Sequence, residues 1–288
     1  MLKGDDMLKG GKVMSIAQIG NGFVGSALHK SFELNGVKTK IYDKYQKIGS
    51  IRSVLGSDVL FLCLPTPFVK GKGFDLSAIE ENLLLLKKKS YKGLCVIKST
   101  VEVGTTKMLA EKYGLNIAHN PEFLTERTAF EDFHNQDHII LGKSSDSELF
   151  NSLILFYKDL YPNARVSICS SDESEATKIF RNCFYAQKVM IFNEFYFLCN
   201  KLGMDYNRVR DLMLCDWLGE MHTMVPGPDG GVGYSGHCFP KDTEALLLQM
   251  KKNNSIHEVL EGAVSERNKI RPDMINIMDE KLKTIEDD

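Results

Sequence analysis

The chain has 288 residues, of which 43% are hydrophobic and 26% charged, and a formal net charge of −2. That length supports one or two domains with a sizeable core. The lack of a basic excess argues against nucleic acid, and no apolar run reaches the ~18 residues of a membrane span. Residues 1–12 begin polar, without the apolar core of a secretion signal, and are read as a disordered leader on a cytoplasmic protein. The seven cysteines include no Cys-x-x-Cys and no Cys/His cluster, so they read as reduced thiols and no metal is expected.

From Val13 to Cys169 short apolar runs alternate with segments of helical period. The runs Val13–Ile19, Lys38–Tyr42, Val59–Leu64, Leu94–Lys98, Leu115–His119, His138–Leu141 and Arg165–Cys169 are predicted strands. The helical pattern over Leu76–Leu86 is predicted to open with a capping box, Ser77-x-x-Glu80. This alternation predicts an α/β domain at 13–169, a Rossmann-type, doubly wound and mainly parallel sheet. The character then changes, and residues 170–288 are predicted to form an all-helical domain for substrate binding and dimerisation. Ser170 and Asp172 are candidate N-caps. Ser174 to Leu202 contains neither Pro nor Gly and carries apolar residues on nearly every face, which predicts one long buried helix. A helix of about 30 residues is ~45 Å long. A homodimer packed through the 172–202 helix is the natural way to cover it. Further helices are expected at Thr243–Lys252 and Ile256–Asn268, with a charged tail after Pro272.

Gly20-Asn21-Gly22-Phe23-Val24-Gly25 follows the first strand and opens a helix. Glycines there permit the tight turn and let backbone N–H groups approach a pyrophosphate. Asp43 closes the next strand, where a carboxylate accepts the ribose hydroxyls of NAD and repels the 2′-phosphate of NADP. NAD is therefore the predicted cofactor. Leu64-Pro65-Thr66-Pro67 and Ser99-Thr100 end the third and fourth strands, at the edge where such sheets bind ligands. Their hydroxyls are candidates to face the nicotinamide or a water, or serve as ordinary turn chemistry.

Gly236-His237-Cys238-Phe239-Pro240-Lys241-Asp242 carries the chemistry. Pro240 suits a first helical turn. A thiol at a helix start sees the positive end of the dipole, which favours the nucleophilic thiolate, and Asp242 lies one turn further on the same face. Asn120-Pro121-Glu122-Phe123-Leu124-Thr125-Glu126 follows the fifth strand, and Lys178 and Asn182 share a face of the long helix. Glu122 and Glu126 could equally be solvated helix-start acids, and Lys178 and Asn182 ordinary surface residues. Their joint occurrence with Cys238, Asp242 and the glycine fingerprint points to oxidation through a thioester.

As an ordered set these motifs resemble the UDP-glucose/GDP-mannose dehydrogenase family. The set is Gly20-x-Gly22-x-x-Gly25, Pro65-Thr66-Pro67, Ser99-Thr100-Val101-x-Val103-Gly104-Thr105-Thr106, Asn120–Leu124, Lys178 with Asn182, and Gly233–Asp242. The resemblance runs from about Val13 to Asn268. It implies two-step, NAD-dependent oxidation of the C6 alcohol of a nucleotide sugar, with UDP-glucose as the first expectation. It further implies Cys238 as nucleophile, Lys178 and Asn182 on the oxyanion, and Asp242 with a water on Thr100 in proton removal. Glu122 is then the group that activates the hydrolytic water. Phe23, Val24, Thr66, Ser99, Thr100, Glu126 and Lys241 join the glycines and Asp43 as implied NAD contacts. Phe123, Leu124, Tyr234 and Gly236 join Glu122, Lys178, Asn182 and Cys238 at the substrate. Family members normally continue for a hundred or more residues, so the resemblance is to a short form lacking the C-terminal nucleotide-binding domain. The stretch Asp216-Trp217-Leu218-Gly219 lacks the arginine of the family's Asp-x-Arg-Ile-Gly. Two competing readings are a hydroxyacid dehydrogenase oxidising once, which has no use for Cys238, and a non-catalytic NAD-binding subunit.

Overall fold

The computed structural model describes residues 14–214 and 218–272. The expected leader, the tail beyond 272 and Asp216-Trp217 of the arginine-less segment lie outside the described residues. The elements run β1 (Ile16–Ile19), α1 (Phe23–Leu34), β2 (Thr39–Tyr42), α2 (Ile51–Val54), β3 (Val59–Leu62), β4 (Phe68–Val69), β5 (Gly73–Phe74), α3 (Ser77–Lys88), β6 (Leu94–Ile97), α4 (Thr105–Tyr113), β7 (Asn116–His119), a 3₁₀ turn at Glu126–Thr128, α5 (Ala129–His134), β8 (His138–Lys143), α6 (Glu148–Leu160), β9 (Arg165–Ser170), α7 (Ser171–Leu202), α8 (Tyr206–Met213), α9 (Phe239–Lys252) and α10 (Glu258–Ile270). The chain forms two compact units: residues 14–66 with 75–178, and residues 67–74 with the described residues from 179 onward. The expectation divided the chain after Cys169. The compact units instead part between Lys178 and Ile179, because the first turns of α7 bond to the sheet unit through Ser174, Glu175 and Lys178.

The first unit is built on a seven-stranded sheet of order β2-β1-β3-β6-β7-β8-β9. All neighbours are parallel except β7 and β8. Successive strand residues point to opposite faces, and both faces are covered. Val59, Phe61, Leu94 and Val96 pack with Phe32, Phe133, Phe150 and Tyr157, while Leu60, Leu62, Cys95 and Ile97 pack with Ile79, Leu83, Leu86 and Leu109. Burial on both faces is why the strands read as unbroken apolar runs. Strand order reverses between β1 and β3, so their carboxyl ends open the crevice in which such sheets bind ligands.

The anticipated capping box at Ser77 does not form. Asp75 accepts from the Ser77 N–H at 2.8 Å, and Glu80 pairs with Lys112. The reciprocal arrangement occurs instead at Ser170. The Glu173 N–H donates to Ser170 Oγ, and the Glu173 carboxylate accepts from the Ser170 N–H and hydroxyl. This box starts α7, a single helix of 32 residues.

In the second unit Phe192, Cys199, Tyr206 and Val225 form one core cluster and Ala186, Met190 and Tyr234 another. Burial of α7 is one-sided within the chain. Phe180, Phe184, Ile191, Phe195, Leu198 and Leu202 recur at spacings of three, four and seven and are exposed, Phe184 and Leu202 each 63%. Two elements of this unit had no counterpart in the sequence reading. Helix α8 is capped by the Asp205 carboxylate on the N–H groups of Asn207 and Arg208, and the β4–β5 hairpin packs on α9.

Candidate active site

The glycine turn joins β1 to α1. Gly20 has φ +92°, and a Cβ on it would lie 2.2 Å from the Cys63 carbonyl oxygen, so only glycine fits. A Cβ on Gly25 would meet the Gly20 carbonyl oxygen at 2.2 Å. Gly22 differs, because a Cβ there would meet nothing within 4 Å. It stands at the N-cap of α1, and no side chain caps that helix. An open face over an uncapped helix N-terminus fits a pyrophosphate. Phe23 and Val24 supply the first-turn N–H groups. Asp43, directly after β2, brackets this turn. Its Oδ2 accepts from the Asn21 N–H at 2.7 Å, and its Oδ1 accepts from the N–H groups of Tyr45 and Gln46 at 2.9 and 2.8 Å. Three of about four lone-pair directions on the carboxylate are thus engaged.

At the ends of β3 and β6 the hydroxyls tie loops together. Ser99 Oγ donates to the Leu64 carbonyl at 2.5 Å, and Thr66 Oγ1 donates to the Thr100 carbonyl at 2.7 Å. Thr100 itself is buried, and its hydroxyl makes no hydrogen bond among the described residues.

Glu122 and Lys178 meet in the first unit. Lys178 Nζ donates to Glu122 Oε1 at 2.9 Å and to the Glu122 carbonyl at 2.6 Å, with both side chains under one-tenth exposed. The Leu124 N–H donates to the other Glu122 oxygen at 2.7 Å. Burial pushes the Glu122 carboxyl up, but Lys178, the Leu124 N–H and Lys98 outweigh it and hold the group below the ordinary carboxylate value. Phe123 lies 5.4 Å beneath the Lys178 ammonium. Glu126 falls in the exposed 3₁₀ turn.

Cys238, Asp242, Lys241 and Asn182 belong to the second unit. Cys238 is the half-buried N-cap of α9, with Phe239 and Pro240 opening the helix and the Asp242 N–H closing its first turn on the Cys238 carbonyl at 3.0 Å. Asp242 is fully buried. Asn182 Nδ2 donates to its Oδ2 at 2.5 Å, and Lys241 Nζ pairs with its Oδ1 at 2.5 Å. The Cys183 thiol, pushed up to above the ordinary range by burial, donates to the Asp242 carbonyl. Gly236, two residues before Cys238, is exposed with φ +82°. Tyr234 is packed inward, its hydroxyl on Thr243 Oγ1 and its ring 5.2 Å from the Arg267 guanidinium. Chemically, this is a thiol at a helix start with a buried carboxylate one turn on, the latter braced by an amide and an ammonium.

Several supporting residues escaped the sequence reading. Glu175 is wholly buried and accepts from the Gly104 N–H, the Thr106 N–H and the Thr106 hydroxyl at 2.5 to 2.7 Å, anchoring α7 to the start of α4. Burial pushes its carboxyl up to about 7, against those three bonds. His119 is buried between Ser174 and the Ser99 carbonyl, and burial pushes it down to about 3, so its ring is neutral. Lys98 is buried on Asn120. The signal for Lys98 was a lysine directly continuing an apolar strand. Glu175 and His119 carried none beyond being polar in apolar company.

Two domains of one family match this chain. They are the NAD-binding domain of the UDP-glucose/GDP-mannose dehydrogenase family over residues 47–161 and its central domain over residues 172–269. A UDP-glucose 6-dehydrogenase of Haloferax volcanii is 29% identical over 263 residues, covering 83% of this chain and 59% of the relative. One of Pseudomonas aeruginosa is 31% identical over 229 residues, covering 74% and 48%. The chain thus spans about half to three-fifths of the length of these two relatives. The solved structure of a UDP-glucose dehydrogenase from the hyperthermophilic archaeon Pyrobaculum islandicum matches with a TM-score of 0.79 at 26% identity, over 96% of this chain and 73% of that one. Both domain matches, the relatives and the shared fold lead to one assignment: this chain belongs to the UDP-glucose/GDP-mannose dehydrogenase family.

Proposed function

We propose that the protein is an NAD-dependent nucleotide-sugar dehydrogenase. In this reading it oxidises the C6 alcohol of a UDP-sugar, UDP-glucose first among them, to a uronic acid through a thiohemiacetal and a thioester on Cys238. The observation that carries the reading is the head of α9, where Cys238 stands half-buried one helical turn before a fully buried Asp242 held by Asn182. A single alcohol-to-ketone oxidation has no use for such a thiol. A four-electron oxidation needs one, because a covalent adduct keeps the aldehyde from escaping.

NAD, when bound, supplies the two-electron acceptor for each of the two oxidations. The glycine turn with Phe23 and Val24 fits its pyrophosphate and Asp43 its ribose, with Thr66, Ser99, Glu126 and Lys241 as further contacts. Asp242, with a water on Thr100, takes the alcohol proton as the C6 hydride departs, leaving the aldehyde. The Cys238 thiolate adds to the C6 aldehyde, forming the C–S bond, and Lys178 and Asn182 hold the resulting alkoxide. Each positioned donor of this kind is worth roughly 3 kcal/mol. Loss of the C6 hydride from that alkoxide leaves the thioester. Glu122 then deprotonates a water, which adds to the thioester carbonyl; the C–S bond breaks, releasing the carboxylate and restoring the thiol. Glu122 suits this task because Lys178 holds it ionised at neutral pH. Phe123, Leu124, Tyr234 and Gly236 are assigned to the sugar nucleotide.

The same reading makes the protein a homodimer through α7. The exposed Phe180, Phe184, Ile191, Phe195, Leu198 and Leu202 lie along one side of α7, and a second copy is the surface that matches them.

The test is a panel of UDP- and GDP-sugars with NAD⁺, followed by reduced-cofactor absorbance and uronic acid yield. Two NADH per uronic acid are expected, and Cys238→Ser should abolish acid formation. Full acid yield with two NADH per sugar in the Cys238→Ser protein would overturn the thioester route.

A further inference from the structure

Lys98 directly follows β6, and its side chain is 2% exposed. Its Nζ donates to Asn120 Oδ1 at 2.9 Å and approaches the Pro121 carbonyl at 3.5 Å, with the Phe133 ring 5.3 Å away. Asn120 is itself fixed from two other sides. Tyr157 donates to the same Oδ1 at 2.7 Å, and Asn120 Nδ2 donates to the Ile140 carbonyl on β8 at 2.8 Å. The two residues that Lys98 grips are the two immediately before Glu122. The turn therefore presents oxygens of Asn120 and Pro121 to one ammonium, and of Glu122 to another.

Lys98 makes no ion pair among the described residues. A buried ammonium that holds only neutral oxygens is costly. If the turn needed shape alone, an uncharged side chain would hold it with less penalty. The remaining ionisable groups nearby do not offset the charge. Burial pushes the Cys63 thiol up to about 12 and His119 down to about 3, and it raises the Tyr157 hydroxyl, so all three are neutral at physiological pH. Glu122 is thus the one carboxylate facing two ammonium groups, those of Lys98 and Lys178.

We propose that Lys98 is a positioning residue whose buried positive charge, together with its grip on Asn120 and Pro121, keeps Glu122 in place and ionised when Lys178 turns to the substrate oxygen. The inference rests on Glu122 being the base that activates the hydrolytic water. In the structure Lys178 is engaged with Glu122. A lysine that must also hold a developing alkoxide cannot be the sole counter-ion of that base, and the second ammonium removes the conflict.

The experiment reads Glu122 directly and needs no turnover. The protein is labelled with carboxyl-¹³C glutamate, the Glu122 signal is assigned by its loss in Glu122→Gln, and its titration is followed in the parent, Lys98→Met and Lys98→Arg proteins. Removing the charge should raise the proton affinity of Glu122 at least about tenfold, whereas Lys98→Arg should leave it near the parent value. Equal shifts in both variants, or none in Lys98→Met, would overturn the electrostatic role. Should Lys98→Met fail to fold, ¹⁵N-lysine titration of the intact parent protein decides instead. Lys98 must be cationic at neutral pH, and a neutral amine there ends the proposal. If turnover is absent but the Glu122 titration moves as expected, the fault lies in the assigned reaction and not in the role of Lys98.

Discussion

Replacing Lys178 by methionine removes the ammonium nearest Glu122 and leaves the carboxylate where it is. At the observed 2.9 Å and an effective dielectric of about 20, the pair attraction is ~6 kcal/mol, an upper bound. Removing one partner of a buried pair costs about 3–5 kcal/mol in practice, because the other charge stays behind. In a protein of this size that lowers the Tm by roughly 10 °C. The pH dependence carries more information than the drop. In the parent the Glu122 carboxyl lies below its ordinary value. It therefore contributes stability above the unfolded-state value near about 4.3, and that contribution is lost as the pH falls through the folded value. Without Lys178, only Lys98 and the Leu124 N–H oppose burial, so the carboxyl moves up from its parent value. The Lys178→Met protein should then gain less stability than the parent as the pH rises from the acid side. Thermal unfolding followed by circular dichroism from about pH 2 to about pH 8 reads both slopes. Adding Glu122→Gln to Lys178→Met should recover most of the loss, since the stranded charge is gone. A Lys178→Met profile parallel to that of the parent, or no recovery in the double variant, would refute the pairing argument.

The glycine turn makes a second prediction that separates folding from binding. Gly25→Ala meets the Gly20 carbonyl oxygen and should destabilise the first unit, whereas Gly22→Ala meets no protein atom within 4 Å and should unfold at the parent temperature while weakening NAD binding at least about tenfold by titration calorimetry. Equal losses of stability in the two variants would contradict the assignment of the open face to the cofactor. On α7, Phe184→Asp places a charge within the exposed stripe. Sedimentation should show the parent as a dimer and the variant as a folded monomer, and a monomeric parent would remove the basis for a second copy.

The order of elements was legible in the sequence because strands buried on both faces leave unbroken apolar runs, and each of the predicted strands is present. The helix start at Cys238 was legible from Pro240, since proline at that point has a local steric meaning. Local chemistry was misleading where two candidates competed for one role. Ser77 and Glu80 have the spacing of a capping box, but Lys112, brought close by the fold, takes the glutamate, while Ser170, expected as an N-cap, forms the box with Glu173, a partner that was not foreseen.

Which groups would carry chemistry could be listed from the sequence, since Cys238, Asp242, Glu122, Lys178 and Asn182 stand in recognisable motifs. Their pairing could not. Lys178 binds Glu122 and Asn182 binds Asp242, although the two stand only four positions apart along α7. Lys98, Glu175 and His119 acquire their roles from residues twenty or more positions away. The exposed stripe of α7 was likewise hidden in the composition, where a helix apolar on every side looks uniformly buried. Periodicity and backbone sterics act over a few residues and are written in the chain. The partner of a buried charge, and the face of a helix left open, depend on which distant segments fold against it, and only the assembled structure specifies that.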